Sequence, residues 1–447
     1  MRAFRFPHPL VLLVACVALA ASLSHLLLAG EYARRQDVST GRQVVVAGSY
    51  HAVPAHPVGF FEAVVAIPEG MIDAGSVIFL VFLVGGAFSV VEQTGALKQG
   101  VEWLTGRFGG RAALIIPLVS VVFATAGALE GMWEEIVALM PVLLLLARRA
   151  GFDPLTAVAM SLGAAGIGST FSPINPFSVG IAQRFAELPL LSGLGFRMLV
   201  LVPAIALWIG ATMRHADRHR RPVPEADAPA RVSLDAGHAV VLLTVLGAFA
   251  VYVYGTLRWD WGFNEMSALF FLMGAAAGLA GGLGVARTAD AFVEGLRAMA
   301  YAAVLIGVAR AIFIVLDRGK VVDTVIDAMV APLSGQSPGV FAFGMTIVQT
   351  LVTFPVPSSS GRAVLTMPIL VPLSDLLGVS RQVTVLAYQY GPGIVGQFMP
   401  TDGALMAVLA IAGVRYDRWL RFCAPICTLL FVLGVAAVAV AAAIGLR

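Results

Sequence analysis

The sequence predicts an all-α polytopic membrane protein made of inverted structural repeats, each with a re-entrant hairpin and an interrupted transmembrane helix. Of its 447 residues, 59% are hydrophobic and 12% are charged, whereas soluble domains average about 45–50% and about 25%. Apolar runs of about 20 residues recur along the chain and are long enough to cross a bilayer. These values exclude a soluble globular protein. An outer-membrane barrel is excluded as well, because its strands alternate over short segments.

Residues 1–74 are predicted to form a transmembrane helix followed by an extracytoplasmic loop. The apolar run from Pro9 to Ala29 exceeds the about 7–15 residues of a signal-peptide core, so we interpret it as a membrane anchor. The polar stretch at residues 31–70 contains Gly41–Val46 followed by Gly48 and Ser49. This pattern predicts a small β-hairpin outside the membrane.

Residues 75–213 are predicted to form the first repeat. The apolar segment between Arg111 and Arg148 is interrupted at residues 127–135. Because arginines at both of its ends favour the cytoplasm, a re-entrant hairpin entering from that side is expected. A second interruption, at residues 166–176, lies inside a span. Residues 214–237 are interpreted as a cytoplasmic linker and residues 238–298 as connecting transmembrane helices.

Residues 299–447 are predicted to be a second copy of the same unit. An offset of 227 aligns Met140-Pro141 with Met367-Pro368 and Pro173 with Pro400, which indicates an internal repeat. The offset pairs the first interruptions with a hairpin tip at residues 355–362 and a break at residues 391–403. If the N-terminus is cytoplasmic, the two hairpins enter from opposite sides. The copies are then inverted, the C-terminus is extracytoplasmic, and the chain lies in a bacterial-type inner membrane.

The four interruptions are the predicted functional site. Unpaired backbone groups are costly in lipid, so non-helical segments at that depth must face protein or a wet cavity. Inverted repeats with broken helices are typical of secondary transporters. Half-helix N-termini and hydroxyls suit a carboxylate, and carbonyl oxygens with Asn175 or Asp402 suit a cation. The candidate substrate- and ion-binding residues are Glu130, Gly131, Glu134, Glu135, Ser169, Thr170, Asn175, Ser358, Ser359, Ser360, Gly361, Arg362, Gly391, Gly393, Thr401 and Asp402.

Charged residues in the interruptions have a functional and a structural interpretation. An ionised side chain near the bilayer centre costs about 2.5–3.5 kcal/mol on insertion scales, so each needs a partner or a polar cavity. In the structural alternative, Glu134 or Glu135 pairs with Arg362 across the copies or lies at the depth of the membrane interface. Arg310 has a similar alternative, in which it lies near a helix end or pairs with an acidic neighbour.

Other classes of function are disfavoured. The chain has neither a G-x-S-x-G nor an H-E-x-x-H motif, and its seven histidines lie outside the interruptions, so an enzyme is not predicted. The net charge of +3 is small and its charges lie at helix ends, so nucleic acid is not an expected partner. No cofactor is expected beyond Na⁺ or H⁺ as a coupling ion, with a possible sodium site near Asn175.

Several motifs resemble one family of bacterial inner-membrane carriers. These motifs are Gly85–Phe88, Asn175–Gln183, Pro357–Pro368 and Ala387–Gln389. They are similar to the C4-dicarboxylate anaerobic carrier (DcuC) and YfcC-like group, and the likeness covers nearly the whole chain. The resemblance implies the ion-transporter superfamily fold, a homodimer and elevator-type alternating access. It also implies roles for Glu134, Glu135, Asn175 and Ser358–Gly361.

Together these features predict a secondary active transporter of a small carboxylate-bearing solute. Members of the resembled group are described as dicarboxylate carriers or basic amino acid antiporters, so a C4-dicarboxylate and an amino acid both remain open, with ion coupling or exchange. The alternative is a cation/proton antiporter or channel-like protein without an organic substrate. Arg362 departs from the group, and a fixed positive charge there is a hypothetical replacement for a bound cation.

Overall fold

The computed structural model describes residues 8–36, 43–100, 103, 113–220, 235–259 and 261–446. Predictions resting on Arg2, Arg5, Arg107, Arg111 and the centre of the linker at 214–237 lie outside these residues. Within the described part of the chain, five helices are long and apolar enough to cross a membrane. The protein is therefore a multi-pass, predominantly helical membrane protein, as predicted.

The N-terminal segment contains one helix, four short strands and a long helix pair. Helix α1 covers Pro9–Leu26. Strand β1 (Gly30–Glu31) pairs antiparallel with β4 (His51–Ala52), and β2 (Arg34–Gln36) pairs antiparallel with β3 (Gln43–Val45). The predicted hairpin is thus present, with Arg34–Gln36 as its other strand. Helices α2 (Phe60–Asp73) and α3 (Gly75–Gln93) follow.

The first repeat contains a helical hairpin and a broken helix. Helices α4 (Ile115–Glu130) and α5 (Glu135–Arg149) form the first hairpin. The first broken helix consists of α6 (residues 154–170) and α7 (residues 176–185), which both contain a π-helical turn. Helix α8 (Leu194–Arg218) completes the repeat.

Three helices lead to the second repeat, which has the same elements in the same order. The connecting helices are α9 (Ala236–Trp259), α10 (Phe263–Ala280) and α11 (Gly284–Arg318). A short helix, α12 (Val322–Val330), precedes the second hairpin, which comprises α13 (Pro338–Val352) and α14 (Ser359–Leu376). The second broken helix comprises α15 (Arg381–Gly396) and α16 (Gly403–Ile411), and α17 (Tyr416–Ala443) ends the chain.

The packing of α6 against α15 confirms that the repeats are inverted. These helices are equivalent under the offset of 227 and run antiparallel. A Cβ added at Gly166 would contact the Gln397 amide, and one added at Gly393 would contact the Thr170 side chain. The offset converts each of these contacts into the other. Two equivalent helices that run antiparallel, and whose contacts change places when the copies are exchanged, are related by a pseudo-two-fold axis.

The interruptions are shorter than predicted. The first hairpin turns at residues 131–134 and the first helix breaks at 171–175, against predicted 127–135 and 166–176. The second hairpin turns at 353–358 and the second helix breaks at 397–402, against predicted 355–362 and 391–403. Except for Gly131, the glycines in the longer predicted ranges lie within helices, where the absence of a side chain permits close packing: Gly127 and Gly168 pack against the carbonyl groups of Ala165 and Ala124.

The remaining elements form a framework around α11. This 35-residue helix packs along α2 and α3 and also contacts α1. Its Arg310 forms an ion pair with Asp73 of α2, which agrees with the structural interpretation of that arginine. The strands are tied to α12 by the ion pair of Arg34 with Asp323 at 2.8 Å. The β-hairpin is therefore fixed to the second half of the chain.

We predict that Gly127→Ala destabilises the protein. A Cβ at this position would overlap the Ala165 carbonyl oxygen, so the two helices must separate, and overpacking of this kind costs about 1–3 kcal/mol. The matched control is Gly210→Ala in α8, where a Cβ would meet no atom within 4 Å. Thermal unfolding in detergent should show a lower midpoint for Gly127→Ala alone. Equal midpoints for both variants would contradict this packing.

Candidate functional site

Asn175 holds the break of the first broken helix against the first hairpin. Its Oδ1 accepts hydrogen bonds from the N–H groups of Phe177 and Ser178, at 2.9 and 3.1 Å, at the start of α7. Its Nδ2 donates to the Gly127 carbonyl oxygen at 3.0 Å. Ser172 reinforces the contact, since its hydroxyl donates to the Ala128 carbonyl oxygen at 2.6 Å. Two interruptions of the first repeat therefore meet here.

Asp402, the equivalent of Asn175, holds the break of the second broken helix. Its Oδ1 accepts from the Leu405 N–H at 2.7 Å and so caps α16. The same oxygen accepts from Trp133 Nε1 at 3.0 Å. Because Trp133 lies in the turn of the first hairpin, that hairpin contacts the breaks of both repeats.

Three carboxylates gather around this contact. Trp133 donates its backbone N–H to Glu135 Oε2 at 2.9 Å, and Glu134 lies near both Glu135 and Asp402. Glu135 is 7% exposed. Within the described part of the chain, none of the three forms an ion pair with a lysine, arginine or histidine. We call Glu134, Glu135 and Asp402 the carboxylate cluster.

Arg362 does not pair with the carboxylate cluster, so the predicted pairing of Glu134 or Glu135 with Arg362 across the copies is wrong, whereas a position of these glutamates at the depth of the membrane interface stays a prediction. It lies in the first turn of α14 and is 3% exposed. Its guanidinium carbon is 5.3 Å from the centre of the Tyr388 ring on α15. A cation–π contact of this kind stabilises a desolvated arginine by about 2 kcal/mol. Among the described residues, no carboxylate neutralises this charge.

The second hairpin presents polar groups at the start of α14. The Ser358 hydroxyl caps the helix by accepting from the Gly361 N–H at 3.2 Å, and it lies 3.3 Å from the Ser360 hydroxyl. Tyr388 donates its hydroxyl to the Ser359 carbonyl oxygen at 2.6 Å. A helix N-terminus carries partial positive charge. With Arg362 one turn further along, this end of the helix favours an anionic group.

A second buried arginine, which the sequence analysis did not identify, supports the first break from α8. Arg197 is fully buried and donates a short hydrogen bond to Gln389 Oε1. Gln389 in turn donates to the Ser172 carbonyl oxygen at 2.7 Å. This relay brings positive charge towards the carbonyl end of α6, where the helix dipole is negative. The only signal in the sequence was one arginine in an apolar run.

Gln397 and Thr401 in the second break are polar groups without partners. Gln397 is 1% exposed, and neither its amide oxygen nor its amide nitrogen is hydrogen-bonded among the described residues. The Thr401 hydroxyl is likewise unpaired there. Buried amides are costly when unpaired, so Gln397 is available for a ligand. Its equivalence to Thr170 under the offset of 227 was the signal that could have identified it.

The other predicted site residues lie partly in the interruptions and partly in the adjoining helices. Gly131 ends α4 in a left-handed conformation, with φ of 73°. Ser169 accepts from Asn175 Nδ2 at 3.3 Å. Thr170 donates to the Gly166 carbonyl oxygen at 2.6 Å. Gly391 and Gly393 are helical and not in the break; they pack against Thr350 and Thr170. The side chain of Glu130 lies outside the described residues.

Asn175 is poorly suited to bind sodium in this conformation. Its amide oxygen already accepts two backbone hydrogen bonds, and an amide oxygen has two lone pairs. Among the described residues, no group of three or more histidine, cysteine, aspartate or glutamate side chains is arranged to hold a metal ion. The sodium site near Asn175 therefore stays a prediction.

The model of the C4-dicarboxylate anaerobic carrier family matches residues 6–443. The chain belongs to this family. The transporter is 34% identical over 384 residues to the Escherichia coli protein named "Putative basic amino acid antiporter YfcC", covering 80% of the chain and 76% of that protein. An uncharacterized protein of Haemophilus influenzae is 30% identical over 410 residues, covering 88% of the chain and 80% of that protein.

Two solved transporter structures also align with the chain. The Alcanivorax borkumensis YdaH transporter aligns with a TM-score of 0.44 and 17% identity, covering 98% of the chain and 99% of that structure. The Neisseria gonorrhoeae efflux pump MtrF aligns with a TM-score of 0.40 and 15% identity, covering 97% and 95%.

We predict that Asn175→Asp and Asp402→Asn, which exchange the side chains of the two equivalent helix caps, have unequal effects on thermal stability. Asn175→Asp keeps the cap but loses the donor to Gly127 and sets a carboxylate oxygen against that carbonyl, which should cost about 1–3 kcal/mol. Asp402→Asn keeps one oxygen, which serves both Leu405 and Trp133, and loses only the longer second contact of Trp133 with Oδ2 at 3.2 Å. Thermal unfolding should therefore show a clear loss for Asn175→Asp and little change for Asp402→Asn. The reverse order would show that these contacts are wrongly assigned.

Proposed function

We propose that this transporter is a secondary active carrier of a small carboxylate-bearing solute that also carries positive charge, namely an amino acid with a basic side chain. The observation that carries this proposal is the carboxylate cluster. Three acidic groups at the meeting point of a hairpin tip and a helix break leave negative charge that a cation must balance. The name of the E. coli relative, which includes basic amino acid antiport, supports the same substrate class.

The cluster offers direct recognition of an ammonium or guanidinium group. Glu134 and Asp402 are half-buried, and Asp402 retains acceptor capacity beyond its cap and the Trp133 contact. Charge-assisted hydrogen bonds in such a site are short and strong. The unpaired amide oxygen of Gln397 adds an uncharged acceptor from the same break. Together these groups favour a substrate that donates several hydrogen bonds.

A C4-dicarboxylate is the second candidate, favoured by the other hairpin. The serine-rich start of α14 and the uncompensated charge of Arg362 suit a carboxylate. A zwitterionic amino acid uses both ends of such a site, whereas a diacid uses the positive end and is repelled by the carboxylate cluster. This difference in charge is why the amino acid is preferred.

Coupling and orientation complete the proposal. The carboxylate cluster suits H⁺ as well as a substrate amine, so exchange and proton coupling are both compatible with it. Na⁺ stays the other coupling ion that the sequence predicts, and a cation/proton antiporter without an organic substrate is the alternative. We further propose that the protein lies in a bacterial-type inner membrane as a homodimer, with the N-terminus cytoplasmic and the C-terminus extracytoplasmic. Charge movement without added solute would favour the alternative.

We predict that Glu134→Gln separates the two substrate classes. Loss of one carboxylate should weaken inhibition of uptake by arginine or lysine about ten-fold or more, since a charged hydrogen bond contributes about 1.5–3 kcal/mol. Inhibition by succinate should change little or improve. The measurement is competition of both solutes against one radiolabelled flux in proteoliposomes.

The matched control is Asp73→Asn, which removes a carboxylate that pairs with Arg310 in the framework. It should leave the ratio of the two inhibition constants unchanged. Identical losses for arginine and succinate in Glu134→Gln would show that this residue is structural.

We also propose that transport is of the elevator type, with the hairpins and broken helices moving against the framework around α11. The start of α16 packs on α11, where a Cβ at Gly403 would lie 3.2 Å from the Ala309 side chain. Small residues at this contact present a smooth surface over which one unit can slide. The alternating-access motion would then change this distance while leaving contacts within each unit intact.

We predict that a disulfide between Ala309→Cys and Gly403→Cys stops transport and that reduction restores it, because the bond joins the two proposed units. The control pair is Ala87→Cys with Gly274→Cys, which are also in close contact but both lie in the framework. Cross-linking there should leave uptake unaffected. Full transport in the oxidised Ala309→Cys/Gly403→Cys variant would exclude relative movement at this contact.

A further inference from the structure

A cavity lies away from the proposed transport site, between the end of α8 and the start of α17. It has a volume of about 380 Å³ and is bounded at one end by Arg214, Arg218, His215, His219 and Arg421. The rings of His215 and His219 stack with their centres 4.1 Å apart. Within the described part of the chain, none of these side chains forms a hydrogen bond or ion pair with a residue of the four interruptions. The cavity is a cluster of cationic and imidazole groups that the proposed function leaves unused.

Two buried carboxylates near this cavity are already paired with other groups. Asp153, in the loop before α6, lies 3.3 Å from His215 and accepts from Thr156. Burial raises the pKa of Asp153, but hydrogen bonds from His215 and Thr156 outweigh it and lower the pKa to about 2. Asp417 is shared between Arg415 and Arg421. Within the described residues, no carboxylate pairs with Arg214 or Arg218, so the cavity has an excess of positive charge.

The residues of α8 and α17 that line the cavity change from charged to apolar with increasing distance from the arginines. Along α17, Arg421 is followed at one-turn intervals by Pro425 and Leu429, which also line the cavity. Along α8, Arg218 and Arg214 are followed one turn deeper by Ala211. Beyond the cavity the exposed surface stays apolar, with Val432 58% exposed and Leu207 36% exposed. The cavity is therefore cationic at one end and borders an exposed apolar surface of the same two helices at the other.

We propose that this cavity binds an anionic phospholipid, with the phosphate on Arg214 and Arg218 and the acyl chains along Leu429 and Val432. Guanidinium groups recognise phosphate through paired, charge-assisted hydrogen bonds. Basic pockets between transmembrane helices on the cytoplasmic side suit such headgroups, and the positive-inside rule places this arginine-rich end there. A free phosphate would use the cationic end alone, whereas the adjoining exposed apolar surface matches the acyl chains of a lipid.

The bound lipid would act on the elements that position both broken helices. Asp153 caps α6 and contacts His215 of the cavity. Beside Arg421, α17 supports the second break, since Trp419 donates to the Gln397 carbonyl oxygen at 2.7 Å. Occupancy would fix α8 and α17 relative to each other. We therefore expect the lipid to stabilise the folded transporter.

The test compares lipid binding to the purified full-length protein and to Arg214→Gln/Arg218→Gln. Phosphatidylglycerol should raise the thermal midpoint of the unaltered protein in detergent and remain attached in native mass spectrometry. In the double variant, its apparent affinity should fall at least five-fold. Phosphatidylcholine and inorganic phosphate, added at the same concentrations, should give much smaller shifts.

Two further variants keep the test decisive. Arg287→Gln/Arg297→Gln removes two exposed arginines of α11 and should bind phosphatidylglycerol like the unaltered protein. Leu429→Glu keeps both cavity arginines but places a negative charge where the acyl chains are proposed to lie. It should therefore also weaken phosphatidylglycerol binding. The proposal is overturned if both arginine pairs respond equally, if phosphatidylcholine stabilises as well, or if inorganic phosphate alone reproduces the effect, which would indicate a site for soluble anions.

Discussion

The structure depends on satisfying the backbone where four segments leave helical geometry inside an apolar protein. Each unpaired N–H or C=O group in such surroundings costs several kcal/mol. Here side chains supply the missing partners: Asn175 and Asp402 cap the helices that resume after each break, and Gln389 and Trp419 donate to the carbonyl groups left behind. The same side chains fix the relative positions of the hairpins and broken helices.

The side chains that satisfy the backbone at each break also contact other elements, and these contacts hold the breaks close together. Asn175 reaches the first hairpin, and Asp402 reaches the same hairpin through Trp133. The second hairpin joins the assembly through Tyr388 of α15. A polar centre therefore arises as a consequence of backbone satisfaction. The groups left unpaired at this centre, such as the amide of Gln397, are the ones available to a substrate.

Divergence between the copies turns a symmetric frame into an asymmetric site. The offset of 227 makes Asn175 equivalent to Asp402 and Glu135 equivalent to Arg362. The geometry of the caps is retained in both copies, but the charges differ. Acidic groups therefore gather at the first hairpin, while a cation remains at the second. The zwitterionic substrate that we propose depends on this asymmetry, since two identical copies would present like charges.

The sequence by itself determined the membrane class, the duplication, its inversion and the residue types of the interruptions. Hydropathy, repeat spacing and the placement of arginines can be read from the chain without knowing which residues are in contact. Only the tertiary structure decided where helices end and which charges pair. Gly391 and Gly393 lie within α15, where the absence of a side chain leaves room for Thr350 and Thr170. Arg362 contacts Tyr388 and not Glu134. Such outcomes depend on neighbours distant in sequence, which local patterns do not encode.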